Sequence, residues 1–177
     1  GAGGSRDGSR DVGVGSGVSA SSGRALGFHL LTVDDDATNL RLCVRMLETL
    51  GCTAETLTDG DELLSMVGGF AATRSRDGVA TDAEAEAAAG AELDERFDAI
   101  LLDIVMQRTN GVQVCRAVKR DPRFSEIPIV AATGNTSEGN RQQYRQAGFS
   151  PHVLAKPYKI SQLSDTLKAV APECQLE

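Results

Sequence analysis

The sequence predicts an open α/β sheet of five parallel strands with helices covering both faces. Two observations carry this. Short apolar runs alternate with segments of helical periodicity along most of the chain. Four of those runs end in a polar or charged residue: Val33 before Asp34-Asp35-Asp36, Leu102 before Asp103, Ala132 before Thr133, and Ala155 before Lys156-Pro157. Parallel strands buried on both faces read as near-continuous apolar runs, and ligands bind at the carboxyl edge of such a sheet. A charge at a buried strand end is costly, so clusters of this kind mark a site rather than packing.

Residues 1–26 are rich in Gly and Ser with almost no large apolar side chains, and are expected to be a disordered leader or linker. Phe28–Val33 reads as a buried strand. A helix follows from Ala37 to Leu50, with Leu40, Cys43, Val44, Leu47 and Leu50 on one face and Gly51 as its left-handed stop. Asp36 suits the N-cap of that helix. Cys52–Thr58 has β-favouring alternation, and Asp59-Gly60 turns into a short helix carrying Leu63, Leu64 and Val67. Residues 68–97 break the rhythm. Their Ala/Glu-rich run favours helix but has no apolar face wide enough to dock, so a surface insertion between the second helix and third strand is expected.

Alternation then resumes. Asp98–Asp103 is the third strand, and the helix after it runs from Gly111 to Lys119, with Val112, Cys115 and Val118 inward and Asp121-Pro122 as its break. Ile127–Thr133, a helix over Ser137–Ala147 capped by Gly148, and a short strand Val153–Ala155 come next. Ile160, Leu163, Leu167 and Val170 repeat at helical spacing, and residues 173–177 form a tail. Five strand–helix units imply a parallel sheet between two helical layers, spanning residues 27–172.

The 177 residues are 41% apolar, enough for one domain with a real core. A net charge of −7 argues against nucleic acid or an anionic membrane as the main partner. With no apolar stretch near the roughly 20 residues that span a bilayer and no signal-peptide pattern at the start, a cytoplasmic chain is expected. Cys43, Cys52, Cys115 and Cys174 form no CxxC pair, and neither His29 nor His152 completes a zinc spacing. Buried, reduced thiols are expected.

A parallel sheet gathers its strand ends along one edge, which brings Asp34, Asp35 and Asp103 together. Three adjacent carboxylates repel unless they take up protons or share a cation, and hard oxygen ligands suit Mg²⁺. Lys156 adds a positive charge for a phosphate, and Thr133 adds a hydroxyl donor. Such a set forms a phosphoryl-acceptor site with Asp103 as nucleophile.

Taken in order, Val33-Asp34-Asp35, Leu102-Asp103-Ile104-Val105-Met106 with Gly111 following, Ala132-Thr133-Gly134-Asn135, and Lys156-Pro157 resemble the receiver domain of two-component response regulators. The likeness covers residues 27 to 171 apart from the insertion, and is strongest to receivers of eukaryotic hybrid kinases and fungal-type regulators. It implies a flavodoxin-like (βα)₅ fold. It implies further that Asp103 accepts the phosphoryl group, that Asp34, Asp35, Asp103 and the main-chain carbonyl of Val105 hold Mg²⁺, and that Thr133 and Lys156 contact the phosphoryl group. The implied donor is a histidine kinase or histidine phosphotransfer protein. The implied role is regulatory, limited to the domain's own phosphoryl transfer and a slow self-dephosphorylation.

Three positions depart from the family pattern. Gln107 replaces the usual proline, so the loop after Asp103 is expected to be less rigid. The position of the aromatic switch residue holds Val153, with His152 a second candidate for that place. Aliphatic Val105 offers no hydrogen bond to a water attacking the phosphoryl group. Two competing functions are a receiver-like interaction module that is never phosphorylated and a small phosphatase with an aspartyl-phosphate intermediate. Retention of Asp34, Asp35, Asp103, Thr133 and Lys156 opposes the first, and the lack of a second acid at Ile104-Val105 opposes the other.

Overall fold

A computed structural model describes residues 26–72 and 97–170. Its elements are β1 (His29–Val33), α1 (Ala37–Thr49), β2 (Thr53–Leu57), α2 (Gly60–Ala72), β3 (Ala99–Asp103), α3 (Gly111–Arg120), β4 (Ile129–Thr133), α4 (Glu138–Ala147), β5 (Val153–Ala155) and α5 (Ile160–Val170). The five strands form one parallel sheet in the order β2-β1-β3-β4-β5. The chain reverses direction across the sheet between β1 and β3, and this puts helices on both faces.

Strand alternation divides the core in two. Leu30, Ala99, Leu101, Val130, Ala132 and Leu154 face a layer built from Cys43 and Leu47 of α1 with Leu163 and Leu167 of α5. Leu31, Val33, Ile100, Leu102, Ile129 and Ala131 face the other layer, where Leu63 and Val67 of α2, Val114, Cys115 and Val118 of α3, and Tyr144 of α4 pack. β3 and β4 are buried at every position, as central strands between two layers must be, whereas the edge strand β2 has no fully buried residue.

Local signals set the helix ends. Asp36 caps α1 by accepting the Thr38 N–H at 2.7 Å, which holds its own carboxyl below the usual range. Asn110 caps α3 in the same way on the Val112 N–H. Gly51 and Gly148 take positive φ of 73° and 101° at the ends of α1 and α4.

Some boundaries differ from those expected. α2 continues through Gly68-Gly69 to Ala72, so the start placed at 68 for the insertion falls inside a helix. At its other end Phe97, counted with the insertion, is buried in the core. Leu26, counted with the leader, donates its N–H to Leu50 O and packs against the α1 and α5 layer. The rest of the leader, of the insertion and the 173–177 tail lie outside the described residues. No helix among the described residues is long and apolar enough to cross a membrane.

Cys43, Cys52 and Cys115 are buried free thiols, as expected, while Cys174 lies outside the described residues. Burial pushes Cys115 up to about 12 and raises Cys43 and Cys52 as well. A thiol raised by folding stays protonated in the fold but ionises near its ordinary value of about 8.5 once unfolded, so the contribution of these thiols to stability is lost as pH rises above that value, for Cys115 toward about 12. All three should resist maleimide at pH 8 and react only in denaturant. Peptide mapping after labelling would expose any that reacts in the native chain.

Candidate functional site

Register sets the site. Val33 pairs with Leu102 across β1 and β3, so the next residues, Asp34 and Asp103, emerge side by side. Asp103 is level with Ala132, and Thr133 with Ala155, which places Thr133 and Lys156 on the same edge. Carboxylate oxygens of Asp34, Asp35 and Asp103 all lie within 4.8 Å of one another. Asp34 and Asp103 are buried, and Asp35 is half-buried.

Lys156 Nζ bridges two of them, 2.6 Å from Asp34 Oδ2 and 3.0 Å from Asp103 Oδ2. Burial pulls the ammonium toward neutrality, but hydrogen bonds to the two carboxylates outweigh it, and its pKa is raised. Lys156 is therefore a fixed positive charge. Burial raises the Asp103 carboxyl, with Lys156 acting in the opposite sense. One ammonium among three carboxylates leaves about two negative charges uncompensated. Clustered hard oxygens with that excess fit a divalent cation such as Mg²⁺.

Some of the carboxylate lone pairs also accept backbone donors and one side-chain donor. Asp34 Oδ1 accepts the Asp36 N–H at 2.9 Å and Asn39 Nδ2 at 3.3 Å. Asp103 Oδ1 accepts the Val105 N–H at 3.2 Å, and Asp35 Oδ2 accepts the Gln107 N–H at 2.8 Å. Thr133 Oγ1 accepts the Asn135 N–H at 3.1 Å, which leaves its own proton to donate elsewhere. The Lys156-Pro157 peptide is cis, and the Lys156 N–H bonds Thr133 O at 2.9 Å.

All five sequence-predicted side chains, Asp34, Asp35, Asp103, Thr133 and Lys156, thus lie on one edge. Val105 is 71% exposed, beyond the end of β3. Val153 is half-buried against the α2–α4 layer, whereas His152 is exposed in the turn before it. Gln107, expected to loosen its loop, ties that loop to Asp35 through its backbone. Sequence reasoning missed Asn39 and this Gln107 contact. Asn39 could have been found from its place in the first turn of α1, just after the acidic triplet; a backbone donor leaves no signal in residue type.

The profile of the response regulator receiver domain matches residues 72–168. This chain belongs to that family. Among relatives of the receiver, the transcription factor Skn7 of Saccharomyces cerevisiae is 30% identical over 141 residues, 80% of this chain and 18% of Skn7. Hybrid signal transduction histidine kinase L of Dictyostelium discoideum is 25% identical over 142 residues, 78% of this chain and 7% of the kinase. The receiver therefore spans under a fifth of these relatives' length. Among solved structures, the receiver domain of a sensor histidine kinase from Pseudomonas aeruginosa superposes with a TM-score of 0.60 at 24% identity, covering 83% of this chain and 99% of that one. Chemotaxis protein CheY4 of Vibrio cholerae gives 0.60 at 25% identity over 81% and 98%. These likenesses bear out the (βα)₅ fold.

Proposed function

We propose that this receiver takes a phosphoryl group onto Asp103 from a phosphohistidine of a histidine kinase or histidine phosphotransfer protein, as one step of a phosphorelay. The observation that carries the reading is the joint placement of Asp103, Lys156 and two further carboxylates at one strand edge of a receiver-family chain. Asp34, Asp35, Asp103 and the Val105 carbonyl would hold Mg²⁺, consistent with the magnesium ion coordinated in the active site cleft of the Pseudomonas receiver. Bound there, the ion supplies charge neutralisation for the phosphoryl oxygens.

The chain's own residues do the rest. An Asp103 carboxylate oxygen forms the new O–P bond while the N–P bond to the donor imidazole breaks, its electron pair returning to the ring nitrogen. Lys156 meets the negative charge of the transferred group, and Thr133 donates its hydroxyl to a phosphoryl oxygen. Because that group draws on Lys156, phosphorylation loosens the ammonium's hold on Asp34, which gives the domain a reason to change state.

Incubation with a small phosphodonor and Mg²⁺, followed by intact mass, tests this. The parent chain should gain one phosphoryl group and Asp103→Asn none. A parent that gains nothing while a control receiver labels would favour the unphosphorylated interaction module. Exposed, aliphatic Val105 gives no hydrogen bond to an attacking water, so the phosphorylated form should outlast a Val105→Asn variant. Decay of the parent within seconds in Mg²⁺ buffer would contradict that expectation.

A further inference from the structure

Residues 104–110 join β3 to α3 and directly follow Asp103. Two of their attachments, the Val105 N–H on Asp103 and the Gln107 N–H on Asp35, belong to the site described above. A third lies outside it. The Thr109 hydroxyl donates to Asp61 Oδ1 at 2.7 Å and stands 3.4 Å from Asp59 Oδ1. A hydroxyl carries one proton, so the shorter contact takes it. Asp59 Oδ1 accepts the Asp61 N–H at 3.0 Å, which fixes Asp61 in the first turn of α2. Arg108 also approaches Asp59 Oδ2 through Nε at 3.4 Å and Asp61 Oδ2 through Nη2 at 3.8 Å, but its side chain is 77% exposed and these pairs add little. Gly60, between the two aspartates, permits the close approach: a Cβ there would lie 3.2 Å from Thr109 Cβ and 3.0 Å from Met106 Cε.

We propose that Thr109 is a positioning residue of the phosphoryl site. Through Asp61 it anchors to α2 the loop whose Gln107 N–H orients Asp35 and whose backbone carries Val105. Thr109 touches none of the three carboxylates, so it acts on the cation site only by fixing the loop. A plain staple between α2 and the loop would use the same bond, yet it would change stability alone. The inference rests on the functional reading above.

Calorimetric titration of the full chain with Mg²⁺ separates the two. Thr109→Val should raise the Mg²⁺ Kd about tenfold, the low end for residues that orient metal ligands, and Thr109→Ser should restore it. Hydrogen exchange at the Gln107 amide should speed up in the same variant, and saturating Mg²⁺ should return phosphoryl uptake to the parent rate. Asp61→Ala, at a half-exposed position, removes the acceptor instead and should reproduce the Kd rise even if Thr109→Val folds poorly. A Kd within about twofold of the parent in both variants, whatever the melting midpoint does, overturns the inference. A parent that binds Mg²⁺ but takes no phosphoryl group overturns the functional reading and leaves the positioning role measurable. A parent that binds no Mg²⁺ overturns both.

Discussion

Gly111→Ala is expected to destabilise the receiver by about 3 kcal/mol or more and to abolish phosphoryl uptake even where the variant stays folded. A Cβ at Gly111 would lie 2.1 Å from the Asp103 carbonyl oxygen, 2.9 Å from Ile104 Cα and 3.0 Å from Asp103 C. All three are backbone atoms, so no rotamer change relieves the clash. The first residue of α3 must move off the end of β3, breaking the 3.0 Å bond from the Gly111 N–H to Ile104 O and displacing the residue that bears the proposed acceptor. Gly60→Ala is milder, about 1 kcal/mol, because the close contacts there are side-chain atoms of Val114, Met106 and Thr109 that can shift. Gly139→Ala is the control: nothing lies within 4 Å, and a helical alanine should stabilise by up to about 1 kcal/mol. Thermal melts of the three decide it. A midpoint for Gly111→Ala within 2 °C of the parent, against an expected drop of about 10 °C, would show the contact is not tight.

Lys156→Met should separate stability from cation affinity. The ammonium lies between Asp34 and Asp103, whose side chains are only 10% and 9% exposed. Removing it leaves buried carboxylates facing one another, which costs about 3 kcal/mol near neutral pH. The cost should shrink in acid. Asp103 already has a raised carboxyl, and a group whose pKa is raised by folding stabilises the fold below its unfolded value and loses that contribution as pH rises through the folded one. Without the lysine that effect grows, so the variant should approach the parent's stability as pH falls through the carboxylate range. Mg²⁺ should rescue it too, by about 2.7 kcal/mol at a hundred times Kd, and should bind more tightly than to the parent because no ammonium competes for the same oxygens. Phosphoryl uptake should nonetheless fall, since the charge that meets the phosphoryl group is gone. Equal stability and an unchanged Mg²⁺ Kd would mean that Lys156 does not hold the carboxylates together in solution.

The sequence alone determined the alternation of five strands and five helices, the four polar strand ends, and the caps at Asp36, Gly51 and Gly148. Each is a local matter: periodicity, a side-chain oxygen beside a free N–H, or a glycine where φ is positive. The parallel order then put Asp34, Asp103, Thr133 and Lys156 on one edge without further information. Tertiary structure decided what sits between those residues. The Lys156–Asp34 bond joins positions 122 residues apart, and its 2.6 Å length depends on strand register and on the turn at Lys156-Pro157. The Gln107–Asp35 and Thr109–Asp61 bonds depend on how the loop after β3 meets the loop after β1 and the start of α2, and one of them uses only a backbone N–H. The same holds for α2, which continues past the Gly68-Gly69 pair that local propensity reads as a break. Residue type and spacing encode which groups reach an edge. The distances between groups on different strands and loops are set by packing, and no local pattern carries them.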